Sequence, residues 1–199
     1  MSDSPSRRIG ILGGSFDPPH LGHIHLARHV AKEISLDLVI CIPAGDPWQK
    51  EVAASATDRL AMTELAITDD ALLAVSDLEV LRSGPTYTVD TLRALHSMYP
   101  HDELYFILGA DALATVPTWH ESERLGDLAH FIAVNRGTAE GQTPLELAGR
   151  LDWVCVPAID ISSTMCRDAV RSGQSLDGLV PPAVAEYIAA HGLYRSSST

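Results

Sequence analysis

Hydrophobic positions along the chain fall into two patterns. Short, nearly unbroken apolar runs at residues 8–12, 38–42, 104–108, 131–134 and 153–156 read as strands buried on both faces. Between and after them, apolar residues recur at helical spacing over residues 20–34, 57–68, 88–99, 163–172 and 182–190. Thr57, Thr88 and one of Ser163 or Thr164 are the predicted caps, Gly173 a predicted stop, and the last helix begins at proline and ends before Gly192. Residues 72–75 read as a short strand and 78–81 as a second extended piece. Strands alternating with helices predict an α/β fold, a doubly wound and mostly parallel sheet. Such sheets receive ligands outside the carboxyl ends of their strands.

Three chemically distinctive segments follow predicted strands directly: GGSFDPPHLGH at 13–23, GAD at 109–111 and ISST at 161–164. The topology brings them to one sheet edge. The first is strand, glycine turn and helix start in succession, where exposed backbone N–H groups and the positive end of a helix dipole suit an anion, most often phosphate. His20 and His23 lie three apart on one face of the first helical turn, each able to donate a hydrogen bond. No Gly-Lys-Ser/Thr follows the glycines, so this is not a Walker loop, and GxGxxG is absent. No nucleophile stands beside an evident base, which favours direct phosphoryl or nucleotidyl transfer over a covalent intermediate.

Composition narrows the partners. The 199 residues carry a formal charge of −12, which argues against an extended nucleic-acid surface yet leaves room for a small anion held by local N–H groups. No apolar run approaches a membrane span and no signal-peptide core precedes residue 9, so a cytoplasmic location is expected. Cys41, Cys155 and Cys166 have no metal-binding or disulfide spacing and are read as reduced, the first two inside apolar strands. One domain over 1–199 is expected, with a frayed tail at 1–6 and a polar one at 195–199. His25 and His29, at i and i+4, read as solvated histidines more readily than as a metal pair. Asp17 before Pro18-Pro19 is explained by turn formation at least as well as by catalysis.

The HxGH stretch resembles the signature of the HxGH nucleotidyltransferase superfamily, and ISSTMCR at 161–167 resembles its second, C-terminal signature. With PAGDPWQK at 43–50, GPTYTVDTL at 84–92, LYFILGADAL at 104–113 and LVPPAVAEYIAAHGLY at 179–194, the chain resembles bacterial nicotinate-nucleotide adenylyltransferases across almost its whole length. Neither the second signature of phosphopantetheine adenylyltransferases nor the RTxGIST type of cytidylyltransferases is present.

The resemblance implies a Rossmann-like nucleotidyltransferase fold and a reaction in NAD biosynthesis: ATP and nicotinate mononucleotide give nicotinate adenine dinucleotide and pyrophosphate, by in-line attack on the α-phosphorus. It implies His20, His23 and Arg167 as catalytic. ATP would be held by backbone at Gly13, Gly14, Ser15 and Phe16, by Gly109 and Asp111 on the ribose or adenine side, and by Ile161, Ser162, Ser163, Thr164 and Arg167 at a helix start. Lys50 would reach the mononucleotide phosphate, and Thr86, Tyr87 and Trp119 would surround nicotinate. Trp48 and Trp119 also have a plain packing reading. Mg²⁺ is expected on the phosphates, with no protein ligands legible. Relatives often carry Arg-Pro-Gly where this chain has Asn135-Arg136-Gly137, which weakens an adenine role for Arg136. A catalytically inactive nucleotide-binding sensor module is the alternative from another class. Preference for nicotinate over nicotinamide mononucleotide and the formation of a homo-oligomer are left open.

Overall fold

The computed structural model describes residues 6–47, 51–135 and 141–195. Six strands form one sheet: β1 (Arg8–Gly14), β2 (Leu38–Pro43), β3 (Leu73–Val75), β4 (Glu103–Gly109), β5 (His130–Asn135) and β6 (Leu151–Cys155). Their order is β3-β2-β1-β4-β5-β6, with every neighbouring pair parallel. Helices α1 (Leu21–Ile34), α2 (Ala56–Ala66), α3 (Thr88–Met98), α4 (Ala110–Leu113), α5 (Leu125–Leu128), α6 (Ser163–Arg171) and α7 (Pro182–His191), with short 3₁₀ turns at Val116–Thr118, Ser122–Arg124 and Leu145–Leu147, complete the described elements. The doubly wound reading therefore holds.

The strand period of two divides the central apolar runs between two cores. Ile9, Ile11, Ile40, Ile42, Phe106 and Phe131 point to one face and pack with Val89, Leu92 and Leu95 of α3. Leu12, Val39, Cys41, Ile107 and Ile132 point to the other and meet Ala27, Val30 and Ala31 of α1. Each such residue, fully removed from water, contributes about 1.5–3 kcal/mol before the entropy cost of ordering it. A third cluster joins α2, α6 and α7 through Met62, Cys166, Val184 and Tyr194. Strand order reverses between β1 and β4, and the carboxyl ends there are Gly13-Gly14 and Gly109. This is the crevice that an open α/β sheet offers a ligand.

Three local expectations are corrected. The cap of α2 is Ser55, not Thr57: Ser55 is extended and its hydroxyl accepts from Asp58 N–H. The stretch at 78–81 turns, with Leu81 N–H bonded to Asp77 O and Arg82 N–H to Glu79 O, so β3 remains the edge. Thr88 is the first residue of α3 and Tyr87 its cap. Cys41 is buried as expected, but Cys155, at the end of β6, is exposed.

Candidate functional site

The loop after β1 carries the first wall. Phe16 turns its buried ring inward, 5.0 Å from the His23 ring, and the chain there takes a positive φ of 48°. Asp17 is also buried. Its Oδ2 accepts from Ala53 N–H at 2.7 Å, and its Oδ1 from Ala54 N–H at 3.0 Å and from the Tyr194 hydroxyl at 2.9 Å. A carboxylate so occupied organises loops, the architectural side of the choice the sequence leaves for Asp17. Arg59, fully buried in α2, donates to Ser15 O, Gly45 O and Ala54 O, drawing the same loops together from below.

His20 caps α1 in an extended conformation, and its ring stacks on His23 with centroids 3.7 Å apart. The backbone N–H of His20 donates to His23 Nδ1 at 3.2 Å. In a neutral His23 ring the proton is therefore on Nε2, leaving that nitrogen a donor.

The second signature is fastened to the same loop. Ser162, rather than Ser163 or Thr164, caps α6, because Ser162 is the extended residue and its hydroxyl accepts from Met165 N–H at 3.2 Å. Ser163 Oγ donates to Pro18 O at 2.9 Å. Arg167 donates through Nη1 to Asp17 O at 2.8 Å and through Nη2 to Thr164 Oγ1 at 3.1 Å.

Two cavities open along this edge. One, of about 410 Å³, is lined by Gly13, Gly14, Ser15, Thr86, Tyr87 and Trp119, among others. Trp119 donates from Nε1 to Thr115 Oγ1 and meets Phe106 edge-on, while Tyr87 lies 4.5 Å from the His120 ring. The other, of about 570 Å³, is lined by His20, His23, Ile161 and Ser162, and by Val134, Asn135 and Val156 at the ends of β5 and β6. Gly109 and Asp111 line both cavities, so the two adjoin at the switch point. Phe16, Ser163, Thr164 and Arg167 line neither. Trp48, Lys50 and Arg136 lie outside the described residues.

Arg59, Tyr194 and Glu79 are not singled out in the sequence, where His25 reads as a solvated histidine. Arg59 and Tyr194 are known only by their long-range bonds, and Glu79 and His25 appear in the cavity walls. His25 is accordingly half-buried and not a solvated histidine, whereas His29 bonds the Cys155 carbonyl at 3.1 Å. Among the described residues, no group of three or more His, Cys, Asp or Glu side chains could hold a metal ion.

The sequence matches the Cytidylyltransferase-like family over residues 11–169. A protein of Saccharopolyspora erythraea is 46% identical over 194 residues, covering 96% of this chain and 92% of its own length. One of Leifsonia xyli subsp. xyli is 44% identical over 200 residues, covering 98% of each. Both bear the name "Probable nicotinate-nucleotide adenylyltransferase". Among solved structures, Plasmodium falciparum nicotinic acid mononucleotide adenylyltransferase complexed with NaAD superposes with a TM-score of 0.76 at 22% identity, over 94% of this chain and 97% of that one. That likeness bears on the fold, and the closer sequence relatives bear on the family. On their identity and coverage, the chain belongs to the nicotinate-nucleotide adenylyltransferase family within the Cytidylyltransferase-like group.

Proposed function

We propose that the protein joins ATP to nicotinate mononucleotide, forming nicotinate adenine dinucleotide and releasing pyrophosphate. The observation that carries this is the pair of adjoining cavities that share Gly109 and Asp111. One has the paired histidines and the other the aromatic wall, so two nucleotides entering from either side meet end to end. In this reading ATP fills the larger cavity, with its base toward Val134 and Val156 and its phosphates beside His20 and His23. The pyridine ring of the mononucleotide lies among Thr86, Tyr87 and Trp119, and Lys50 reaches its phosphate.

A phosphate oxygen of the mononucleotide forms the new bond to the α-phosphorus as the bond to the bridging oxygen breaks. The departing pyrophosphate takes the electron pair and the growing charge. His23 Nε2–H and the His20 ring donate to that charge, the start of α6 holds the polyphosphate, and the backbone of Gly13, Gly14 and Ser15, in the wall of the smaller cavity, faces the reacting phosphates from the mononucleotide side. Arg167 acts on the same loop through Asp17 O and adds positive charge behind it. A Mg²⁺ on the phosphate oxygens and water is part of this reading. When bound, that ion would neutralise phosphate charge. The relatives are named as enzymes, so the inactive-sensor alternative is set aside.

The test is pyrophosphate release with ATP, Mg²⁺ and nicotinate mononucleotide. Turnover is expected, and no product at micromolar enzyme would overturn the reading. His20→Ala should lose about 10²–10³-fold in kcat with an unchanged circular dichroism spectrum. Wild-type turnover in that variant would refute the phosphate role of His20.

A further inference from the structure

The wall of the smaller cavity contains a buried acid that adenylyl transfer does not use. Glu79 is 9% exposed and lines the cavity alongside Thr86, Tyr87 and Trp119. It lies in the turn between β3 and α3 and is held from two sides. Thr91 Oγ1 of α3 donates to Glu79 Oε1 at 2.7 Å. The opposing turn comes so close that a Cβ on Gly45 would stand 2.1 Å from the Glu79 carbonyl oxygen, which only glycine permits. Arg82, which also donates to Thr91 Oγ1, and Arg59 of α2 act on the carboxyl as charges through space. Asp111, His120 and the Tyr87 phenol are the other titratable side chains lining this cavity.

We propose that the Glu79 carboxyl, through its bound proton, sets how strongly this pocket prefers a pyridine carboxylate over the neutral pyridine carboxamide. The proposal rests on the reading above that the mononucleotide's ring occupies this cavity. Burial pushes the Glu79 acid up to about 7, against the pull of the Thr91 hydrogen bond and of Arg82 and Arg59. With the proton on, Glu79 opposes no anion. With the proton off, a carboxylate on the ring faces a like charge in a poorly hydrated wall, whereas a carboxamide does not. The two mononucleotides carry the same ribose and phosphate. The ratio of their kcat/KM values therefore cancels every titration they share, that of the phosphate included.

The experiment measures kcat/KM for nicotinate and nicotinamide mononucleotides from about pH 6 to about pH 8.5. In the wild-type protein the nicotinate-to-nicotinamide ratio should fall by roughly tenfold with rising pH, the order set by two unit charges about 12 Å apart at an effective dielectric near 20. Glu79→Gln should give a ratio independent of pH. Thr91→Val, which removes the donor that favours the ionised acid, should move the fall to higher pH, and His120→Asn should leave it in place. A flat wild-type ratio, a slope that survives in Glu79→Gln, or one abolished by His120→Asn would overturn the proposal. If Glu79→Gln fails to fold, an unmoved profile in Thr91→Val overturns it. Absence of product from both mononucleotides would instead overturn the adenylyltransferase reading beneath it.

Discussion

Gly22 shows how a motif position is dictated by a neighbour's ring. A Cβ there would lie 2.9 Å from His20 Nδ1 and 3.0 Å from His20 Cε1, with the Ile161 carbonyl 3.6 Å away. The glycine therefore keeps room for the stacked histidine rather than supplying an unusual backbone angle. Gly22→Ala should leave the melting temperature unchanged or raise it, because alanine is favoured over glycine in a helix by up to about 1 kcal/mol. Its kcat should nevertheless fall about ten- to a hundredfold as the ring is displaced. Melting temperature and pyrophosphate release on the same preparation check this, and undiminished kcat would show that the ring's present place is not required. His20, His23 and the glycines could be read from spacing alone. Arg59 could not, because its three carbonyl acceptors, Ser15, Gly45 and Ala54, are scattered along the chain and an arginine in a helix is ordinarily exposed.

At the scale of elements, the end of the chain locks its beginning. Helix α7 packs with α2 and α6 in the third cluster, stops at Gly192 in the left-handed conformation, and lets Tyr194 reach back to Asp17. Burial, and then the adjacent Asp17, raise the Tyr194 phenol well above its ordinary value, so the hydroxyl stays a donor throughout the working pH range. Tyr194→Phe keeps the ring and removes that donor, leaving Asp17 with two backbone N–H partners and Arg167 at 3.8 Å. Hydrogen bonds to charged groups contribute about 1.5–3 kcal/mol, and a loss of that order should appear as a lower urea midpoint with an unchanged m-value. An unmoved midpoint would show that the clamp adds no stability. Element identity was largely legible because the apolar runs are nearly unbroken and the helix ends carry proline and glycine. Caps were less so: Thr57 is the cap expected from sequence, and only the extended backbone of Ser55, whose hydroxyl accepts from Asp58 N–H, puts the cap two residues earlier. The run at 78–81 misled because its alternation suits a strand, yet no neighbouring strand pairs with it and Leu81 is 76% exposed.

At the scale of the molecule, an acidic protein is proposed to bind two anionic nucleotides. Net charge acts at long range and is screened by salt, whereas the N–H groups of the glycine turn and the histidine donors act at contact. The sequence could place three segments at one sheet edge because parallel topology compels it. It could not reveal two cavities sharing Gly109 and Asp111, since that depends on the depth to which Phe106, Trp119 and α4 fill the crevice. The walls come from the first, middle and last thirds of the chain, so unfolding destroys the site as a whole and each ligand should stabilise the native state by mass action. ATP at a hundred times its Kd would add about 2.7 kcal/mol. For a chain of this length each kcal/mol shifts Tm by about 2–4 °C, so a rise of about 5–11 °C is expected. Nicotinate mononucleotide, entering the other cavity, should shift Tm further when added after ATP in the absence of Mg²⁺, and His20→Ala should reduce the ATP shift while sparing the mononucleotide shift. A flat melting temperature at ATP concentrations that saturate turnover would contradict a site built from all three parts of the chain. Equal loss of both shifts in His20→Ala would show that the two cavities do not divide the ligands as proposed.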